Sequence, residues 1–348
     1  MANSPLSVAL VGYGLAGSTF HAPLIAATDG LRMAVIVTSN SERAHEARVR
    51  YPDVSIIDSI DNLWELTPDA VVIATPNTLH APMAHQAIDH AVPCVVDKPF
   101  ALSADQGIGV VQHAEQADVL VTVYQNRRWD GDYLTIAKLI SDGALGRVAR
   151  FESRFEKWRP TIRPGWHDRA SVAEGGGMLF DLGSHVIDQA IHLFGPVATV
   201  YAEVDTTRRD GQSDDDVFVA LTHGNGVRSH LFMNSAAADL GVRFRILGTK
   251  GAFTKYGMDP QEAALRAGET PGARWGLDAE SSWGVLNTGD TATPIPTVAG
   301  SYPGFYSEFE AALRGLGPVP VDPTDAVRTL GIIEAARESS ATRRVIEI

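Results

Sequence analysis

A single cysteine, Cys94, stands among the 348 residues, so an intrachain disulfide and a thiolate metal cluster are both excluded. It lies in the apolar stretch Val92-Pro93-Cys94-Val95-Val96 and reads as a small buried core residue. Cationic residues are few: 29 Lys+Arg stand against 42 Asp+Glu, and the resulting net charge of -13 repels nucleic-acid backbones and anionic membrane surfaces. No apolar run is long enough to cross a bilayer, and the start Met-Ala-Asn-Ser-Pro lacks a charged segment leading into an apolar one. The expectation is a cytoplasmic protein with neither nucleic-acid nor membrane partners. No internal repeat is found, and 348 residues with 45% hydrophobic content suit two globular domains.

What is present starts with the first apolar run. Leu6-Ser7-Val8-Ala9-Leu10-Val11 passes directly into Gly12-Tyr13-Gly14-Leu15-Ala16-Gly17, and Ser18 to Ala27 can continue as a helix. Gly12 permits the tight turn, Gly14 lets the main chain approach a phosphate, and Gly17 lets helix and strand pack closely. The backbone from Gly12 to Gly17, with the helix N-terminus behind it, is therefore the expected pyrophosphate cradle of a dinucleotide.

A second strand, Met33 to Thr38, should end at the adenosine ribose, where an NAD site usually carries Asp or Glu. This chain has Thr38-Ser39-Asn40-Ser41-Glu42-Arg43 there. Thr38, Ser39 and Arg43 suit a 2′-phosphate that a carboxylate would repel, so NADP is expected. Ser39 and Ser41 can equally begin a helix as caps, and Glu42 leaves NAD open.

Apolar strands alternate with helix-length segments as far as Val119-Val123, which predicts a doubly wound parallel sheet over residues 1–125. Ligands bind beyond the carboxyl ends of such strands. Thr75-Pro76-Asn77 with His80, Asp97-Lys98-Pro99 and Tyr124-Gln125-Asn126-Arg127 occupy those ends. From 126 to 348 the pattern changes to alternating strands: Val148-Phe155, Thr199-Val204, Asp216-Thr222, Val227-Phe232, Val242-Leu247 and Ala252-Tyr256. One helix of note, Met178-Phe194, interrupts them. The expectation is a second α/β domain with a large, mainly antiparallel, open-faced sheet, its last helix packing back on the first domain. An uncovered sheet face usually pairs with itself, so a homodimer or homotetramer is expected. Residues 257–304, rich in Gly, Pro, Thr and Ala, read as a long connection.

Two stretches can carry chemistry. Lys98 is projected between a strand and Pro99 at the sheet's carboxyl edge, where its ammonium can polarise a reacting oxygen or simply pair with Asp97. In Gly175-Gly176-Gly177-Met178-Leu179-Phe180-Asp181-Leu182-Gly183-Ser184-His185, helical spacing brings Asp181, His185 and Asp188 to one face. An imidazole there can take a proton from an alcohol while a carboxylate orients it. A solvated polar helix face, or a metal held by Asp181 and His185 with Asp188 or His192, are the alternatives.

Together these motifs resemble the Gfo/Idh/MocA family of NAD(P)-dependent oxidoreductases across essentially the whole chain. The resemblance rests on the glycine turn, Thr75-Pro76-Asn77-x-x-His80, Asp97-Lys98-Pro99 where many members carry Glu-Lys-Pro, Asn126-Arg127-Arg128, and the glycine triplet before Asp181-x-x-x-His185. It implies that Lys98, Asp181 and His185 are catalytic. It also implies that Asn77, Lys98 and Asn126 approach the cofactor, that Thr75, Pro76 and His80 belong to the same site, and that a cis bond precedes Pro99. Phe20-His21-Ala22-Pro23 and Tyr256-Gly257-Met258-Asp259-Pro260-Gln261-Glu262 are similar to the branch containing NADP-dependent scyllo-inositol dehydrogenases. The function implied is hydride transfer between NADP and a secondary alcohol of a cyclic polyol or sugar. A dihydrodiol dehydrogenase, a small carbonyl reductase or a non-catalytic NADPH sensor remain as other readings. Trp158-Arg159-Pro160 and Arg163-Pro164-Gly165-Trp166-His167 can wall the pocket, Trp166 against the cofactor, or only pack their loop. His21 reads as a packed histidine behind the glycine turn.

Overall fold

Six short strands whose side chains are apolar on both faces form the first sheet: β1 (Leu6–Val11), β2 (Leu31–Val37), β3 (Ser55–Ile57), β4 (Ala70–Ile73), β5 (Cys94–Asp97) and β6 (Val121–Tyr124). They pair in the order β3-β2-β1-β4-β5-β6, every pair parallel. Val8, Ala9, Leu10 and all of β4 are fully buried because helices cover both faces, which is why these strands read as continuous apolar runs. The order reverses between β1 and β4, opening a crevice at their carboxyl ends. This computed structural model describes residues 4–162 and 170–348.

The second sheet has nine strands in the order β14-β13-β12-β11-β7-β10-β9-β8-β15. They are β7 (Val148–Glu156), β8 (Val197–Asp205), β9 (Asp216–His223), β10 (Arg228–Asn234), β11 (Phe244–Gly248), β12 (Ala252–Lys255), β13 (Gly284–Asn287), β14 (Ala292–Ile295) and β15 (Ile346–Glu347). All neighbours are antiparallel except β7 and β10, which run parallel. A parallel pair needs a crossover. Between β7 and β10 the chain makes the helix Ser184–Phe194 and the strands β8 and β9, so that helix lies on one face of the sheet.

Three expectations need correction. The sheet has more strands than the alternating pattern disclosed, since β13, β14 and β15 are too short or too exposed to show a period. Residues 257–304 are not one irregular connection, because they contain the helix Gln261–Arg266 and the β13-β14 hairpin. The span 178–194 is not one α-helix: Leu179–Gly183 is π-helical and the α-helix begins at Ser184.

The helix Pro323–Thr342 ties the two sheets together. Just before it, the Val321 carbonyl accepts from Thr122 Oγ1 of β6 at 2.8 Å; near its end the hydroxyls of Ser339 and Ser340 accept from the Ala202 and Val204 amides of β8 at 3.0 Å. β15 pairs with β8 only at Thr199 and Val200, so those hydroxyls satisfy backbone donors of β8 beyond its reach. Among the described residues, no helix is long and apolar enough to cross a membrane.

Candidate active site

The glycine turn sits at the crevice. Gly12 has φ +96°, and a Cβ there would stand 2.3 Å from the Ala74 oxygen, so any larger residue would push β1 and β4 apart. Gly14 differs: the nearest atom to its would-be Cβ is Arg43 Nη1, at 3.6 Å. That side of the turn is open and faces a guanidinium. The Tyr13 side chain is buried, leaving its main chain to face a ligand, whereas Leu15 is half exposed. Ala16–His21 is π-helical.

Beyond β2 and β3 lies a cleft of about 460 Å³ lined by Thr38, Ser39, Asn40, Ser41, Arg48 and Asp58. Asn40 accepts the Arg43 amide at 3.0 Å and caps the helix Ser41–Arg50, whose first turn carries the Arg43 side chain. Asp58 accepts from Asn62 Nδ2 at 3.3 Å. The hydroxyls, the helix N-terminus and Arg48 of this cleft, with the Arg43 guanidinium beside Gly14, fit an anionic substituent of a nucleotide ribose, and the cradle at Gly12 to Gly17 fits its pyrophosphate.

At the end of β5, Asp97 Oδ1 accepts the Lys98 amide at 2.8 Å, and the Lys98-Pro99 bond is cis. The Lys98 ammonium does not pair with Asp97. It donates to Asp181 Oδ1 at 2.8 Å and to the Asp181 carbonyl at 2.9 Å, joining the first sheet to the second domain. Asn77 does likewise, donating through Nδ2 to the Gly175 oxygen at 3.2 Å. His80 is buried, with Nδ1 2.7 Å from the Pro99 oxygen and Nε2 2.9 Å from the Thr75 oxygen. It spans the two loops that carry Thr75 and Lys98, and so acts on the cleft through their backbones. Pro76 is exposed beside them.

The glycine triplet lets a carboxylate cap the helix opposite. Gly177 has φ +100°, and a Cβ there would lie 2.4 Å from Asp214 Oδ1. With that space free, Asp214 Oδ2 accepts the Leu179 amide at 2.7 Å and its carbonyl accepts the Met178 amide at 2.9 Å. The π-helical turn that follows delivers Asp181 to Lys98, and π turns often mark functional sites. One helical turn on, His185 is buried and its Nδ1 has no hydrogen-bond partner among the described residues. Burial, then the charges of Lys98, Arg127 and Lys157, outweigh Asp181 and hold His185 well below the ordinary histidine value of 6.5, so its imidazole is neutral near pH 7. Burial opposes ionisation of Asp181, but Lys98 and Lys157 prevail and its carboxyl stays far below the usual range.

Residues 6–125 match the NAD-binding Rossmann fold of the Gfo/Idh/MocA oxidoreductase family, and residues 137–348 match that family's C-terminal alpha/beta domain. The chain belongs to the Gfo/Idh/MocA oxidoreductase family. It is 36% identical over 350 residues to the NADP-dependent scyllo-inositol 2-dehydrogenase IolW of Bacillus subtilis, covering 98% of this chain and 95% of that protein. It is 35% identical over 347 residues to the oxidoreductase YdgJ of Escherichia coli, covering 98% of each. The structure of the oxidoreductase YvaA of Bacillus subtilis superposes with a TM-score of 0.94 at 34% identity, covering 99% of both chains.

In this Gfo/Idh/MocA oxidoreductase, Asp188 leaves the polar face inferred from helical spacing. Its two oxygens accept from Arg128 Nη2 and Nε at 2.6 and 2.8 Å, while Tyr133 Oη stands 2.5 Å from His192 Nδ1. Both residues considered as extra metal ligands are thus committed to structural partners. Asn126 is buried at the start of the turn Asn126–Trp129. Trp166, with Arg163, Pro164, Gly165 and His167, lies outside the described residues.

Sequence reading missed Lys157 and named Glu262 only within a motif, with no role. Lys157 extends β7 on the face of Phe155, over whose ring its ammonium lies at 5.0 Å, with the Arg127 guanidinium at 4.6 Å from the same ring. Glu262 pairs with Arg127. The period of two along Phe151, Ser153, Phe155 and Lys157 was the available signal for the lysine.

Proposed function

We propose that the protein reversibly oxidises a secondary alcohol of a cyclic polyol or sugar, using NADP, in the cytoplasm. The observation carrying this reading is the meeting of Lys98, Asp181 and His185 at the carboxyl edge of a dinucleotide-binding sheet. Residues 1–125 bind the cofactor and 126–348 the substrate.

When bound, the nicotinamide supplies the hydride chemistry. Gly12 to Gly17 hold the pyrophosphate with main-chain N–H groups, while Thr38, Ser39, Arg43 and Arg48 hold the 2′-phosphate. Thr75, Pro76, Asn77 and Asn126 line the way to the reacting end. Lys98 donates to the substrate oxygen and stabilises the negative charge that builds there as the hydride leaves carbon. Neutral His185 accepts the hydroxyl proton in oxidation and returns it in reduction. Asp181 remains ionised, orients Lys98 and accepts from a neighbouring hydroxyl. A pure NADPH sensor would need none of these three groups.

The outward face of the second sheet carries Phe218 and Phe232 with ring centroids 5.0 Å apart, and the Arg154 guanidinium 4.2 Å over Phe232. These half-buried aromatics support self-association through that face. Light scattering should give two or four times the subunit mass, and a monomeric mass would remove this part of the reading.

The function is tested by following reduced nicotinamide absorbance with a panel of inositols, aldoses and their keto forms, NADP and NAD separately. Turnover of a cyclic polyol or sugar with NADP supports the reading. Cofactor binding with no reacting polyol or ketone defeats it in favour of a sensor.

A further inference from the structure

His21 ends the π-helical stretch that follows the glycine turn and is fully buried. Tyr306 Oη, from the helix Tyr302–Leu313, stands 2.5 Å from its Nδ1. On the other side Nε2 has no hydrogen-bond partner among the described residues but faces Asp97 Oδ2 at 3.6 Å. The second oxygen of that carboxylate is the one that accepts the Lys98 amide at 2.8 Å. The imidazole also lies against Tyr124, centroids 4.4 Å apart, at the end of the neighbouring strand.

These contacts select one tautomer. A lone pair on Nε2 would point at a carboxylate, so Nε2 carries hydrogen and Nδ1 accepts from the Tyr306 hydroxyl. The line Tyr306, His21, Asp97, Lys98 then has a donor facing an acceptor at each step. A leucine at position 21 would fill the same apolar space without a buried ring nitrogen lacking a close partner. The π turn accounts for the placement, because its inserted residue rotates His21 out of the α-helical register and toward β5.

We propose that His21 is a positioning residue for Lys98, linking the helix behind the cofactor turn to the lysine through Asp97. The inference rests on the catalytic reading of Lys98 given above. His21 holds the Asp97 carboxylate, and that carboxylate fixes the backbone from which the ammonium reaches Asp181. Contacts of this type are often long before ligands bind and tighten in the complex, which is the direction expected for the 3.6 Å gap.

Two variants separate the link from packing. In His21→Asn the shorter amide can meet Tyr306 but not Asp97; in His21→Gln the amide reaches the place of Nε2. His21→Asn should lower kcat about 10- to 100-fold, the scale of a small misplacement of a reacting group. NADPH affinity, read by its fluorescence, should stay within about two-fold, and His21→Gln should recover most of the rate. Combining His21→Asn with Asp97→Asn should cost no more than either alone. A second readout needs no substrate: acetylation of Lys98 relative to exposed Lys138, mapped by mass spectrometry on the ligand-free protein. The ratio should change several-fold in His21→Asn and return in His21→Gln. A wild-type ratio in His21→Asn overturns the inference whatever the turnover, and so does loss of NADPH binding in both variants. If no substrate reacts with the wild type, the catalytic reading fails while this ratio still decides the link.

Discussion

The Lys98 ammonium reaches Asp181 Oδ1 at 2.8 Å across 83 residues of sequence, and it holds the carbonyl of the same residue at 2.9 Å. One side chain from the edge of the first sheet thereby meets the helix of the second domain that carries His185. Replacing it should affect chemistry more than binding. Lys98→Met is expected to lower kcat by about 100- to 10,000-fold, with NADPH affinity nearly unchanged in a fluorescence titration. Wild-type turnover would remove Lys98 from the mechanism.

The pH dependence follows from His185. Its imidazole is held well below 6.5, so the proposed base stays neutral on lowering the pH past that value, and the acid limb of kcat/KM for oxidation should lie below pH 6.5. Lys157 is one of the charges pressing it down. Lys157→Met removes that charge, the imidazole then protonates at a higher pH, and the acid limb should move upward. A limb that stays in place would show that Lys157 does not act on His185.

The proposed preference for NADP is tested at Arg43. With its guanidinium beside Gly14 and its backbone in the first turn of the helix that begins at the cleft, Arg43→Glu should raise the KM for NADP about 10- to 100-fold, the range of a charge-assisted hydrogen bond, and change that for NAD much less. Equal effects on both cofactors, in parallel initial-rate measurements, would contradict a 2′-phosphate site there.

The cap on the candidate catalytic helix depends on Gly177. Gly177→Ala introduces a Cβ 2.4 Å from Asp214 Oδ1 at φ +100°. The strain should cost about 1–3 kcal/mol and lower the thermal midpoint by several degrees. Calorimetry that finds an unchanged midpoint would show that the loop relaxes without cost.

Much of this was legible in the amino-acid sequence. Leu6 to Gly17 declared its strand and turn because the glycines follow an apolar run directly, and Lys98 was visible because it ends another such run. Pairings made across the domains were not. Helical spacing put Asp188 beside Asp181 and His185, yet Arg128, 60 residues away, claims it with two hydrogen bonds at 2.6 and 2.8 Å. Proximity to Asp97 suggested a pair with Lys98, but the short Asp97 side chain folds back on the Lys98 amide. The hairpin of β13 and β14 lies in a Gly-, Pro- and Thr-rich stretch where β14 buries almost nothing, so it left no alternation to read.

The central claim is hydride transfer assisted by Lys98 and His185. It is tested most directly by giving the protein NADP and a cyclic polyol deuterated at its carbinol carbons, then weighing the reduced cofactor by mass spectrometry. The account predicts one deuterium in each NADPH formed by the wild type, with formation strongly reduced in Lys98→Met and His185→Ala. Saturable NADP binding with no deuterated NADPH, or equal formation in those variants, would contradict it.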